Sequence, residues 1–314
     1  MGLTSSVKKP FYLLLANGSL VGLALGKDIK SINFTDQEGT HADKVTITIV
    51  SLDYIKPKKG DELILFFGYD GVPFMPCGIF TVDGSRRIDN RVLVVRATGV
   101  DFKGKIKEKK SKTFEKTTLK DIIALKAKEN GLASKCDFEV KIKHLTQTNQ
   151  SDLDFLKKLA DEYNAIFTIK NRTLIFVQKK QTLPLFTFDA ETVSNLDIEE
   201  TSKKEYKSCE CKYHDHKKNK EIKVKVGDGK PILHHTGSFK DKTEAKIKAQ
   251  AKLDKENEGI IRGSFTAEGS ICYAGANMLL VNTIHGENNG VYKIKTVTHS
   301  LSSGGWSMTV EFSR

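Results

Sequence analysis

The chain has 314 residues, longer than one ordinary domain, so two or three domains are expected. Hydrophobic residues make up 39% of it and only 6 are Pro, which excludes a disordered polymer. Lys plus Arg number 51 against 39 Asp plus Glu, a formal charge of +12, yet no helix-turn-helix, base-stacking aromatic strand or zinc-finger spacing accompanies the excess, so no specific nucleic-acid recognition is expected.

The first hundred residues read as all-β. PFYLLLA, LVGLALG, KDIKSINFTD, KVTITIVS, DELILFFGYD, CGIFTVDGSRRI and NRVLVVRATGVDF are short apolar or alternating runs. Val45, Ile47 and Ile49 share one parity and Thr46 and Thr48 the other, the pattern of a strand with one buried side. Asp70-Gly71, Asp83-Gly84 and Asp89-Asn90 carry turn chemistry. Six or seven such strands predict a small barrel or sandwich over residues 1–103.

At Lys103 the composition changes, and KGKIKEKKSK reads as an exposed connector. An α+β insert over residues 104–182 follows. Thr118 with Asp121, and Ser151 with Asp154, have the spacing of helix N-caps. Leu119, Ile122, Ile123 and Leu125 give the first helix an apolar side. Leu153, Leu156, Ala160 and Tyr163 stripe the second. DFEVKIK alternates as a strand between them, and AIFTIK and TLIFVQ flank Asn171-Arg172 as a hairpin.

Residues 183–314 return to strands, with one surface helix predicted near 242–258 whose apolar side is Ala245, Ala249, Ala251 and Leu253. The terminal GVYKIKTVTHSLSSGGWSMTVEFSR alternates as a hairpin. Val291, Lys293, Lys295, Val297 and His299 lie on one side of it, and Tyr292, Ile294, Thr296 and Thr298 on the other. The expected class is therefore β-rich α+β, with two small β-barrel domains around an α+β insert.

Candidate chemistry is sparse. Cys209, Cys211, His214 and His216 place four metal-ligating residues within a short span, but the two pairs differ in strand parity and lack the loop between ligand pairs of structural zinc sites, so no metal is expected. Five cysteines without a framework spacing imply reduced thiols and intracellular folding. No GxSxG elbow, HExxH helix or phosphate-cradling loop occurs. Asp161-Glu162 and Glu199-Glu200 are adjacent and diverge, where a glycosidase needs two carboxylates flanking one bond. No cofactor is expected. No run approaches the roughly 18 apolar residues of a membrane span, so no membrane insertion is expected.

Four segments together resemble the phage late control gene D family, the baseplate hubs of contractile tails, related to the hub portion of type VI secretion spike proteins. They are Lys44 to Gly71 with the following CGIFTVDGS; Gln147 to Val177, with its QTNQSDLDFLKKLA helix; Thr243 to Asn257; and GSICYAGANMLLV with the terminal hairpin. The last carries the signature residues Gly275, Gly290, Tyr292, Val297, His299 and Trp306. The resemblance implies a non-enzymatic trimer whose two tube-forming barrels per subunit join a sixfold tail tube to a threefold central spike. It also implies tape-measure and baseplate wedge proteins as neighbours, assembly in the bacterial host cytoplasm and a place in the virion tail baseplate. The alternative is a tail-associated peptidoglycan hydrolase, against which the insert is small and shows no recognisable acid pair. His299, which alone could serve as a catalytic base, reads as structural in a terminal hairpin beside Tyr292, Val297 and Trp306.

Overall fold

The computed structural model describes residues 9–22, 28–39, 42–50, 57–70, 74–99, 105–178, 183–202, 204–215, 220–237, 239 and 241–314. Seven strands open it: β1 (Pro10–Ala16), β2 (Ser19–Gly22), β3 (Ile29–Gln37), β4 (Lys44–Val50), β5 (Glu62–Tyr69), β6 (Met75–Ile88) and β7 (Val92–Thr98). Val45 and Ile47 are buried while Thr46 and Thr48 face out, so period-two patterning did set the facing of β4. Asp89 and Asn90 turn β6 into β7 with positive φ at both residues. Asp83-Gly84 is not a turn: β6 runs through it, and the pair lies at a register shift in the β6–β7 ladder. There the extra residue is absorbed as a bulge. Gly71, of the Asp70-Gly71 pair, lies outside the described residues.

The insert comprises β8 (Lys109–Thr118), α1 (Leu119–Glu129), β9 (Ala133–Cys136), β10 (Lys141–Ser151), α2 (Asp152–Tyr163), β11 (Ala165–Lys170) and β12 (Thr173–Gln178). The end of the lysine-rich connector, Lys109–Lys112, is strand: β8 pairs antiparallel with β10, which begins at Lys141 rather than Asp137 and runs on to Ser151. Charge hid this pairing, because a two-stranded ribbon buries too few side chains to show alternation. Both caps form as read. The Thr118 hydroxyl accepts from Asp121 N at 3.1 Å and the Ser151 hydroxyl from Asp154 N at 3.0 Å.

Leu125 of the predicted apolar side is exposed, and Lys126 takes the inward position instead, wholly buried. Its ammonium lies 2.7 Å from the equally buried Asp152 and 3.3 Å from Glu129, over the rings of Phe114 and Phe155. Asn130, Gln147 and Lys110 also donate to Asp152. Burial disfavours the carboxylate, but these donors outweigh it and bring its pKa down to about 2. A buried pair broken on one side leaves an unpaired charge. Lys126→Met is therefore expected to lose about 3–5 kcal/mol in urea unfolding at neutral pH.

The rest comprises β13 (Leu185–Asp189), β14 (Ser194–Glu200), β15 (Ser208–Asp215), β16 (Lys220–Gly227), β17 (Ile232–His235), α3 (Lys242–Asn257), β18 (Ile261–Glu268), β19 (Asn277–Val281), β20 (Gly290–Ser302) and β21 (Gly305–Ser313). The two outer parts share one 13-stranded sheet, ordered β14-β18-β21-β20-β3-β4-β7-β6-β5-β1-β2, with β19 on β20 and β13 on β19. Its ladder forms no closed barrel among the described residues. One side of it carries two cores. The first contains Ile32, Phe34, Phe67 and Trp306, the second Phe265, Met278, Tyr292 and Phe312. Sheet β16-β15-β17 is separate, and α3 lays Ala245, Ala249 and Leu253 against Cys209, Cys211 and Val224 of that sheet. The opposite side of α3 exposes Lys242, Lys246 and Gln250.

Candidate functional site

The halves join along β20. Gly290–Lys293 pairs with β19, whereas Thr296–Ser302 pairs with Gln37–Ser31 of β3. Between these stretches the β20–β21 register shifts, at Ile294/Thr296. Simple alternation puts Val297 and His299 opposite Tyr292 and Ile294; the bulge reverses the parity, and all four point inward. One strand thereby supplies Tyr292, Ile294 and Val297 to the second core and Leu301 to the first.

His299 sits at the meeting of the two cores with no exposed surface. Trp306 Nε1, which can only donate, lies 3.3 Å from His299 Nδ1, so Nδ1 is the acceptor and Nε2–H donates to Cys272 O at 3.2 Å. The ring stacks on Phe34 with centroids 5.8 Å apart. Both nitrogens are occupied, which leaves neither for proton transfer. Burial pushes the pKa down to about 4 from 6.5, outweighing the Cys272 carbonyl and Asp36.

The remaining signature residues serve the same hairpin. Tyr292 OH donates to Asn288 O at 2.8 Å, and its ring packs on Phe312. Gly275, at φ 84°, donates its N–H to Ile294 O at 2.8 Å beside the bulge. A Cβ on Gly290 would stand 2.9 Å from Arg314 Nη1. Gly269, which no sequence signal singled out, is tighter still: a Cβ there would lie 2.1 Å from Trp306 Cγ.

The insert is fastened by the tip of its β11–β12 hairpin. The Lys170 ammonium pairs with Asp36, at the inner end of β3, and lies 3.1 Å from Asp43. Asn171 Oδ1 accepts from Ile79 N at 3.1 Å, and Arg172 Nη2 is 2.5 Å from Glu62. Asp36 also accepts Ala274 N at 3.0 Å, tying the loop before β19 to the same point. Burial raises Asp43 to about 6 despite Lys170. Burial also opposes the Lys170 charge, but the two carboxylates outweigh it and raise its pKa. In sequence, only the Asn171-Arg172 turn was visible; ordinary acidic residues carry no sign that one lysine collects them.

Cys209 and Cys211 share a buried face under α3, and the Cys211 thiol donates to Ala245 O at 3.5 Å. Burial pushes the Cys209 thiol up to about 11 and raises Cys211 as well. His214 belongs to β15, but its side chain and the whole of His216 lie outside the described residues. Among the described residues no group of three or more metal-ligating side chains gathers.

Two surfaces of the long sheet stand out. At its edges, Leu20 and Val21 on β2 and Leu185 on β13 are exposed; Val291 at the start of β20 is exposed too, and Ile284, 82% exposed, tops the loop before it, braced by Thr283 and Asn289. Across its middle, the side away from the cores is built of hydroxyls and amides. On β3 these are Ser31, Asn33, Thr35 and Gln37; on β20, Thr296, Thr298, Ser300 and Ser302. Thr46 and Thr48 of β4 and Ser307 and Thr309 of β21 extend it, and Thr35 Oγ1 meets Thr298 Oγ1 at 3.3 Å across the seam. The charges at these ladder positions of β3, β4, β7, β20 and β21 are Lys44, Arg96 and Glu311.

No protein-family model matches the chain. It is 29% identical over 178 residues to the probable baseplate hub protein of Escherichia phage 186, and 27% identical over 185 residues to that of Escherichia phage P2. In sequence this chain resembles phage baseplate hub proteins. The matches cover 54% and 56% of it, and it spans about half the length of those relatives, 45% and 47%. The likeness in fold takes in the whole chain. The 43 kDa tail protein of prophage MuSo2 from Shewanella oneidensis superposes with a TM-score of 0.69 at 13% identity, covering 96% of this chain and 98% of that one. A tail protein from Neisseria meningitidis gives 0.68 at 12% identity, covering 98% and 97%. An Escherichia coli component of the type VI secretion system gives 0.58 at 13%, covering 95% and 76%. At such identities these likenesses concern the fold alone.

Two outcomes test the packing at this junction. The unfolded chain protonates at His299 before the native one does, so the stability this site confers is complete above pH 6.5 and is lost as pH falls toward 4. Urea unfolding of the parent, compared with His299→Gln at pH 7.5 and 4.5, is expected to show the variant's deficit shrinking by up to about 3 kcal/mol at the lower pH. Lys170→Met leaves Asp36 and Asp43 facing each other without their cation. Its deficit is expected to reach about 3–5 kcal/mol at pH 7.5 and to shrink below pH 6 as one carboxyl protonates.

Proposed function

We propose that the chain is a structural baseplate hub protein of a contractile phage tail or a phage-derived injection device, located in the tail baseplate. Three copies form a ring joining a sixfold tail tube to a threefold central spike. Residues 1–103 and 183–314 act as two tube-forming barrel units per copy, and residues 104–182 as the insert between them. Tape-measure and wedge proteins are its further neighbours. The role is mechanical, with no bond made or broken.

The observation that carries this reading is the pairing of two independent likenesses: sequence identity to two phage hub proteins over about half the chain, and a tail-protein fold over 96% of it. Physical features support it. A sheet with exposed apolar residues at both ends is suited to head-to-tail contacts that close by rotation.

Co-expression with spike and tube proteins of a contractile tail tests the proposal. A complex containing three copies of this chain per spike trimer, seen by native mass spectrometry, is the expected outcome; a chain that stays monomeric and binds neither contradicts it. Clearing of a peptidoglycan suspension by the purified chain would instead favour the hydrolase.

A further inference from the structure

We propose that Lys170 and Asp36 join through an intramolecular amide bond, formed within the folded chain with Asp43 as proton carrier, which staples the insert's hairpin tip to β3. The bond requires only the fold and forms whatever the chain's place in a tail.

An amine condenses with a carboxyl only where the two are held together, shielded from water and served by an acid-base group. The hairpin tip meets each condition. Asp36 continues the inward row of β3 after Ile32 and Phe34 and is 3% exposed. The Lys170 ammonium lies against its Oδ1, while its Oδ2 accepts Ala274 N–H at 3.0 Å. That backbone donor is placed to hold the oxyanion that forms when Nζ attacks Cγ. Asp43, also buried, has Oδ1 3.1 Å from Nζ and fixed by Gln37 N–H at 3.1 Å. Burial raises its pKa to about 6, so it takes up and returns a proton near neutral pH, as a carrier must.

The step balances without a co-reactant. One Nζ proton passes to Asp36 Oδ1, leaving a neutral amine and a neutral carboxyl. The amine's electron pair forms the Nζ–Cγ bond as the carbonyl pair moves onto Oδ2. A second Nζ proton crosses by way of Asp43 to Oδ1, the Cγ–Oδ1 bond breaks, and water leaves. Asp43 ends as it began. Burial disfavours the ammonium but the two carboxylates outweigh it, so the first transfer is the slow one. In return, two buried charges become a neutral amide and their desolvation cost disappears. Asp36 and Lys170 are 134 residues apart, so the bond closes a long loop and keeps the insert from parting from the sheet under load.

The insert's other buried pair shows what the chemistry needs. Lys126 and Asp152 are wholly buried and 2.7 Å apart. Despite burial, Lys112 and Lys126 hold the neighbouring Glu129 below its usual range, and the donors around Asp152 bring it down to about 2. No carboxyl there takes up a proton near neutral pH, and that pair stays ionic.

Mass spectrometry of the purified full-length chain tests this, before and after prolonged incubation at neutral pH. The folded parent is expected to become one water lighter than its sequence, and digestion to yield a branched peptide joining Lys170 to Asp36. In denaturing gels the linked form migrates ahead of the unlinked chain, with or without reductant. Lys170→Arg keeps the cation and Asp43→Asn keeps the side chain's shape; both are expected to fold and to retain their full sequence mass. A folded parent that stays at full mass overturns the proposal. Water loss that persists undiminished in Lys170→Arg, with no branched peptide in the parent, comes from cyclisation at Asp70-Gly71 or Asp83-Gly84 and overturns it too. A Lys170–Asp36 link that forms equally fast in Asp43→Asn overturns the part given to Asp43.

Discussion

The ladder between β3 and β20 is the constraint on which the rest of the molecule depends. Strand β3 belongs to the opening β-unit and β20 to the closing one, about 260 residues apart by their Thr35–Thr298 contact. Without that pairing the long sheet divides into two, each with a new edge exposing unpaired backbone groups. Contacts so distant in sequence carry a large closure cost, and local hydrogen bonds alone give little net return against it. Side chains at the seam supply the difference: His299, Trp306, Phe34 and Phe67 pack as a buried aromatic cluster. The bulge in β20 makes this possible by turning one strand's inward residues from one core to the next.

The insert obeys the same logic at smaller scale. It has its own core, centred on Leu119, Leu156 and Phe176, and its own buried ion pair in Lys126 and Asp152. It touches the sheet at the tip of its hairpin, where Lys170 gathers Asp36 of β3 and Asp43, just before β4. From the other side it is steadied by α3. There Lys248 reaches Glu162 at 3.4 Å, Lys255 reaches Asp161 at 2.6 Å, and Asn164 donates to Asp254 at 2.8 Å. Insert, small sheet and long sheet are held by charged contacts between well-packed bodies. That arrangement fixes their orientation through few, specific contacts.

Much of this was legible in the residues, and the misses have physical causes. Strands with one buried face announced themselves through alternation, as Val45 to Ile49 did, and helix starts through Thr118 and Ser151, because both signals are local. What escaped was non-local or locally atypical. No pattern in GVYKIKTVTHS marks a bulge, so the facing of Val297 and His299 relative to Tyr292 was misread. Strand β8 was hidden under lysines, and Lys126 was hidden because a buried ammonium needs its partner, Asp152, from a helix 26 residues away. The joining of two β-units into one sheet had no local signal at all. His299, read as structural from its company in the hairpin, lies between Trp306 and a backbone carbonyl with both ring nitrogens engaged.

The most direct test of the account is native-state hydrogen exchange at the amides of the seam, read residue by residue across Ser31–Gln37 and Thr296–Ser302. If the β3–β20 ladder unites the halves, these amides exchange only through global unfolding, with the same opening free energy and urea dependence as the most protected amides of both cores. Seam amides that open at markedly lower free energy, while the two cores remain protected and open independently, would contradict it.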